Sequence, residues 1–277
     1  MDVCSIRHEY YCVVIKCFKL RQAKIAVLVS GKGTGLQAIM DHIRLGVLLN
    51  SKVIKVVSNN PHAGAMKKAV STNIKTDFIE GVVGRKFSSL EEREKGRRDF
   101  DDKVSNMFLK DDVELVICAG FNQVLSNIFV SRYSNRIMNI HPAYDIGRFG
   151  GLGMVGLKVH EAVINAGENV SGCTVHYVNS SIDRGPVIIG ASVAVFKNDT
   201  PERLSDRVSV IEHRMYPKAI QLHVDGRIRV HGRKLILDLD GVWESEWQRR
   251  QEKYIEYQKK LWKGLGKDID EIFKPLN

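Results

Sequence analysis

The chain has 277 residues, 44% of them hydrophobic and 27% charged, and a formal net charge of +10. This is the composition of a globular protein with one large domain or two small ones. Five cysteines, an odd number with no CxxC pair, exclude a disulfide framework or a zinc site and fit a reducing cytoplasm. The positive balance attracts anions, from phosphorylated metabolites and dicarboxylate cofactors to nucleic acid or anionic membrane, without choosing among them.

The chain opens with "YYCVVIKCF", Tyr10 to Phe18, which is too short to span a bilayer and lacks the flanks of a signal peptide. Residues 1–23 read as an N-terminal extension. From Lys24 the pattern becomes α/β. "KIAVLVS" reads as a buried strand, followed by a glycine turn and a helix from about Leu36 to Leu45. "KVIKVVSNN" is a second strand, and a charged helix opens within Lys86–Asp102 and runs towards Phe108. "VELVICAGF" and "RIMNI" are further buried strands, with Cys118 as a buried thiol. Apolar strands alternating with helices predict a mostly parallel sheet covered on both faces. After a helix around Val155–Ala166 the texture changes. "GCTVHYV", which holds Cys173, "GPVIIGASVAVF" and "GRIRVHGRKLILD" read as consecutive strands, interrupted by a helix from Pro201 to about Leu222. From residue 239 a tail carries Trp243, Trp247, Tyr254, Tyr257, Leu261 and Leu265 at helical spacing. It reads as an amphipathic helix docked on the body or on a partner chain, and leaves a homodimer open. Its near-balanced charge argues against nucleic acid.

Two stretches carry chemistry. In "VSGKGTGLQ", Gly33, Thr34 and Gly35 link a strand to a helix, where backbone N–H groups and the helix N-terminus can cradle a phosphate. No Gly-Lys-Ser/Thr ends the turn, so it is not a P-loop, and a plain tight turn needing small residues explains it equally well. The third glycine comes one position early for a dinucleotide fingerprint, and the second strand ends in Ser58-Asn59-Asn60 rather than in an acidic residue. In "NRIMNIHPAYD", Asn139 and His141 lie two apart at a strand tip and share a face, where ligands of open α/β sheets bind. Asp183, in a turn further on, can raise and orient an imidazole. An amide donor, an imidazole and a carboxylate suit a tetrahedral intermediate at a carbonyl carbon. No activated Ser or Cys is in an obvious motif, which points to direct attack by an amine or water.

Together "AVLVSGKGTGLQAI", "VICAGFNQVLS", "RIMNIHPA", "TVHYVNSSIDRGPVI" and "RVSVIEHRMYP" resemble the phosphoribosylglycinamide formyltransferase family in order and spacing over about Lys24 to Arg233. The resemblance implies a Rossmann-like, mostly parallel α/β sheet with helices on both faces and a smaller, mixed C-terminal half. The formyltransferase domain would span 24–238, with a phosphate-binding half to about 134 and a catalytic, folate-binding half beyond it, and the helical tail would take 239–277. The implied reaction moves the formyl group of 10-formyltetrahydrofolate to the amine of 5-phosphoribosylglycinamide, without a metal. The matching positions make Asn139 the oxyanion donor, His141 the general acid and Asp183 the group that raises its pKa. Gly33, Thr34, Gly35, Gly120, Pro142 and Glu212 would hold the glycinamide substrate. Arg97, Asn122, Gln123, Val124, Leu125, Asn179, Ser180, Ser181 and Ile182, with Asn139 and Asp183, would face the folate. His160 and His176 read as structural.

The sequence departs from the family where Tyr144-Asp145-Ile146 replaces its usual Leu-Leu-Pro, a loop that bears on donor affinity and acceptor choice. It also departs at Gly35, where many members have Asn. Related enzymes offer two alternatives. Formyltetrahydrofolate deformylase typically carries an N-terminal regulatory domain, for which the residues before Lys24 are too few. Methionyl-tRNA formyltransferase has a larger C-terminal domain than this tail provides. A binding protein that kept the fold without catalysis is a third, against which the intact Asn139, His141 and Asp183 argue.

Overall fold

The computed structural model describes residues 21–232 and 234–273. The segment Tyr10–Phe18 and the cysteines at 4, 12 and 17 lie outside the described residues. In chain order the elements are β1 (Ala23–Val29), α1 (Thr34–Arg44), β2 (Ser51–Ser58), α2 (Gly64–Val70), β3 (Lys75–Phe78), α3 (Leu90–Lys110), β4 (Leu115–Cys118), α4 (Asn127–Arg132) and β5 (Ile137–His141). They continue with α5 (Ile146–Phe149), α6 (Leu157–Asn165), β6 (Val170–Tyr177), β7 (Val187–Ala194), α7 (Pro201–Val224), β8 (Ile228–His231), β9 (Lys234–Leu237), α8 (Gly241–Gly264) and α9 (Ile269–Ile272).

Seven strands form one sheet in the order β3-β2-β1-β4-β5-β6-β7. The pairs from β3 to β5 are parallel, and β6 and β7 join antiparallel. The mostly parallel α/β sheet read from the sequence is therefore present, and the change of texture after residue 166 marks a change of strand direction within a single sheet. Alternate residues of β1 supply the two faces, as a pleated strand requires. Ile25, Val27 and Val29 pack with Leu36 and Ile39 of α1 and Tyr216 and Ile220 of α7. Ala26 and Leu28 pack with Phe100, Val104 and Phe108 of α3 and Phe129 of α4.

Local chemistry starts the helices. Ser89 caps α3 by accepting from the Glu92 N–H at 3.1 Å, while the Glu92 carboxylate returns to the Ser88 N–H at 2.8 Å. Thr200 caps α7, with Pro201 in its first turn, and Asp240 caps α8 by accepting from the Trp243 N–H at 2.7 Å.

The structure adds to the sequence reading, which had no α2, β3, α4, α5 or α9. The short α2 and β3 were hidden because β3 is a partly exposed four-residue edge strand without an apolar run. "GRIRVHGRKLILD" is a hairpin, β8–β9, reversing at Gly232 with φ of 63°. In the tail, Trp243, Trp247 and Tyr254 are buried against Ala38, Val47 and Leu222, so α8 docks on the body. Leu261 and Leu265 are exposed, and Trp262 takes the buried position instead. Each large apolar side chain sealed here is worth ~1.5–3 kcal/mol relative to exposure.

Candidate active site

The strand order reverses between β1 and β4, and loops leaving the two strands part there to open a crevice. Asparagines lace the loops together. Ser30 Oγ donates to Asn59 Oδ1 at 2.6 Å and accepts from the Asn122 N–H at 3.0 Å, and Asn60 Nδ2 donates to the Ser30 carbonyl at 2.9 Å. Ser58-Asn59-Asn60 therefore serves as a clamp across three strand ends.

A cavity of about 670 Å³ runs along the C-terminal tips of β1, β4 and β5 to the β6–β7 turn. At its β1 end, Gly33 caps α1 with φ of 74°. A Cβ there would lie 2.5 Å from that of Ala65, so the close approach of α2 demands glycine as much as the left-handed backbone does. The first N–H groups of α1, at Thr34 and Gly35 on the cavity wall, have no partner within the helix, an arrangement that suits an anion. Lys68 Nζ lies 3.4 Å from the Gly33 carbonyl, and burial lowers its pKa. Glu212 reaches the cavity from α7, and burial lifts its carboxyl to about 7. It touches the cavity's space yet is ringed by protein on all other sides, which is how it is both partly accessible and strongly desolvated. The Tyr216 hydroxyl ties α7 to the sheet, 3.0 Å from the Cys118 carbonyl and 2.8 Å from that of Met138.

At the centre, Asn139 and His141 occupy the last residues of β5, and Asp183 approaches from the β6–β7 turn. Asp183 has φ of 54°, a left-handed conformation that Asp tolerates better than most residues. Its carboxylate stands between two imidazoles, with Oδ2 3.6 Å from His141 Nδ1 and Oδ1 3.6 Å from His176 Nε2. The Gly151 N–H donates to Oδ2 at 2.9 Å. Burial works to raise the Asp183 pKa, but the neighbouring imidazoles and the hydrogen bond from Gly151 hold it below its ordinary value.

The expected rise in the His141 pKa is not what the site produces. His141 is 4% exposed, and burial lowers its pKa by more than Asp183 and its hydrogen bond to Phe149 raise it. Its Nε2 donates to the Phe149 carbonyl at 2.7 Å. That carbonyl belongs to α5, whose cap Asp145 and first residue Ile146 stand where the family usually has Leu-Leu-Pro. Asp145 caps it by accepting from the Arg148 N–H at 3.1 Å, and Phe149 sinks into the core.

Gly33, Thr34, Gly35, Gly120, Asn122, Gln123, Val124, Leu125, Pro142, Asn179, Ser180, Ile182 and Glu212 all line the cavity with the central three. Arg97 and Ser181 are not among the lining residues. Arg97 pairs with Glu94 one turn earlier on α3. Gln123 turns its carbonyl oxygen to the Val82 N–H at 2.7 Å. His160 and His176, read from the sequence as structural, both line the cavity beside the central residues. The signal for His176 was present in the alternation of "TVHYV", which places it on one face of β6, but its partner across the sheet needed the register. His160 has a pKa lowered to about 4 by burial and by His141.

Among the described residues no group of His, Cys, Asp and Glu could hold a metal ion, and no helix is long and apolar enough to cross a membrane. The arrangement can stabilise an oxyanion with Asn139 and relay a proton through His141 beside an anion-binding helix end.

A formyl transferase family model matches residues 23–220. Phosphoribosylglycinamide formyltransferase of Haemophilus influenzae is 32% identical over 78% of this chain and 93% of that relative. The trifunctional purine biosynthetic protein adenosine-3 of Bos taurus is 34% identical over 76% of this chain, which spans only 19% of that relative's length. The crystal structure of glycinamide ribonucleotide transformylase 1 from Symbiobacterium toebii has a TM-score of 0.69 at 32% identity, over 79% of this chain and 95% of that one. The chain belongs to the formyl transferases and, within them, to the phosphoribosylglycinamide formyltransferase family.

Proposed function

We propose that this protein transfers the formyl group of 10-formyltetrahydrofolate to the amine of 5-phosphoribosylglycinamide. The observation that carries the reading is a single cavity that contains, in order along the strand tips, an anion-binding glycine turn, the Asn139–His141–Asp183 group and the loops flanking β5. The phosphate sits on the N–H groups around Thr34 and Gly35. Glu212 then faces the glycinamide. The formylated folate lies between Asn122–Leu125 and the turn that carries Asn179, Ser180 and Ile182.

The neutral amine attacks the formyl carbon, and the carbonyl π pair moves onto oxygen. Asn139 Nδ2 donates to that oxyanion, an effect worth on the order of 10²–10³ in rate. Collapse of the intermediate breaks the bond to the folate nitrogen, which takes up the proton that the amine loses. His141 carries this proton, contributing ~10²–10⁴. A neutral ring with its hydrogen on Nδ1, the side of Asp183, accepts the proton at a bare Nε2 first and then delivers it as the acid. For this its Nε2 must exchange the Phe149 carbonyl for the reacting nitrogen.

The test is tetrahydrofolate release from 10-formyltetrahydrofolate with and without phosphoribosylglycinamide, with His141→Ala as control. Release that requires both the acceptor and His141 supports the reading. Release without acceptor overturns it in favour of hydrolysis of the donor.

A further inference from the structure

The antiparallel pairing of β5 with β6 sets Asn139 directly opposite His176. His176 is 2% exposed. Its Nδ1 lies 3.0 Å from the Tyr177 carbonyl. A carbonyl only accepts, so Nδ1 carries a hydrogen in either charge state. In the neutral ring Nε2 is then a bare lone pair, and it faces Asn139 Nδ2 at 3.3 Å. An amide nitrogen only donates. The hydrogen-bond logic therefore fixes both groups at once: one Asn139 hydrogen is held by His176 and the other is left for the cavity.

We infer that His176 is a positioning residue for formyl transfer, which holds the Asn139 amide with its nitrogen edge towards the reacting oxygen. Without this acceptor the amide can turn over and present its oxygen, an acceptor, to a developing negative charge. Asp183 Oδ1 stands 3.6 Å from the same Nε2, beyond hydrogen-bond distance, so the nearer Asn139 amide is the partner of that lone pair. The inference rests on the proposed reaction for its rate effect, but the tautomer it requires does not.

Two substitutions separate position from packing. His176→Phe keeps the ring and removes the acceptor, and His176→Gln keeps an amide oxygen that can accept near the place of Nε2. His176→Phe is expected to lower kcat by about 10–100-fold, the scale of weakening an oxyanion donor, with both KM values within about twofold. His176→Gln is expected to recover most of the loss. In an Asn139→Ala background His176→Phe is expected to cost little more. Wild-type kcat in His176→Phe, or a full second loss on top of Asn139→Ala, overturns the inference.

A second measurement needs neither turnover nor the phenylalanine variant. Nitrogen-15 NMR of the labelled full chain, with the His176 ring assigned by its disappearance in His176→Gln, reports which ring nitrogen carries the proton. The Nδ1–H form is expected. A proton on Nε2, whether Nδ1 is bare or also protonated, overturns the inference, whatever reaction the protein performs. Absence of acceptor-dependent transfer in wild type with the Nδ1–H form intact instead removes the proposed function and leaves the amide orientation standing.

Discussion

Two buried histidines, one on α1 and one at the tip of β5, do different work. His42, near the helix C-terminus, is sealed beneath α8 between Trp247 and Tyr254. Its Nδ1 donates to the Ala38 carbonyl at 2.7 Å, and its Nε2 accepts from Gln251 Nε2 at 3.2 Å. One donor and one acceptor match a neutral imidazole, and burial drives its pKa down to about 3. His141 is also buried, but both its nitrogens meet acceptors, the Phe149 carbonyl and the Asp183 carboxylate. Acceptors on both sides favour the cation while burial disfavours it. Burial alone makes a histidine inert. Burial opposed by an anion, at the wall of a cavity, leaves it able to take and release a proton.

Breaking the catalytic side of this comparison gives the largest expected effect. Asn139→Ala or His141→Ala should lower formyl-transfer turnover by about 10²–10⁴-fold. Their thermal unfolding midpoints should stay near wild type, because each side chain borders a cavity. Near-normal turnover in either variant removes the assignment.

Breaking the sealed side should do the reverse. Trp247→Ala leaves a void under α8 and is expected to cost about 3–5 kcal/mol in denaturant unfolding. Turnover per folded molecule should be unchanged. A large fall in kcat in this variant would mean that the tail acts on the site and not only on stability.

Asp183→Asn sharpens the comparison by making His141 resemble His42. It removes the upward pull on the ring, so the acidic limb of the kcat–pH profile should move to lower pH. A shift to higher pH would contradict the assigned direction.

The smallest effect concerns His42 itself. Its folded pKa is depressed from 6.5 to about 3, so between these values the unfolded chain binds more protons. Its contribution to stability is complete above 6.5 and is lost as pH falls towards 3. His42→Gln should flatten the fall of stability between pH 6.5 and 4, by at most about 1.4 kcal/mol per pH unit, the limit for one proton, with the other buried histidines supplying the rest of the fall. An unchanged slope would assign the acid sensitivity to those others.

The parallel core was legible in the sequence because its strands are continuous apolar runs, buried on both faces. The edge strand β3 was not, since its exposure leaves no such run. Asn139 and His141 could be paired from spacing alone, because two residues apart on one strand is a local fact. Asp183 could be offered as their third member from its turn, but nothing local places it beside His141, and the part played by His176 needed the antiparallel register of β6. The His141 pKa was misjudged for a related reason. A sequence shows the charged neighbour more readily than the depth of burial. The glycine turn was ambiguous until Ala65 was seen beneath Gly33, where nothing local could have put it.

The left-handed backbone at Asp183 has a consequence for anyone reading substitutions there. Few side chains accept that twist, and β-branched ones least of all. A random library at this position would lose most members to the turn before any of them met a substrate. Tolerance at residue 183 would then chart what the chain can bend into, and only Asn, which shares the bend without the charge, isolates what the carboxylate contributes.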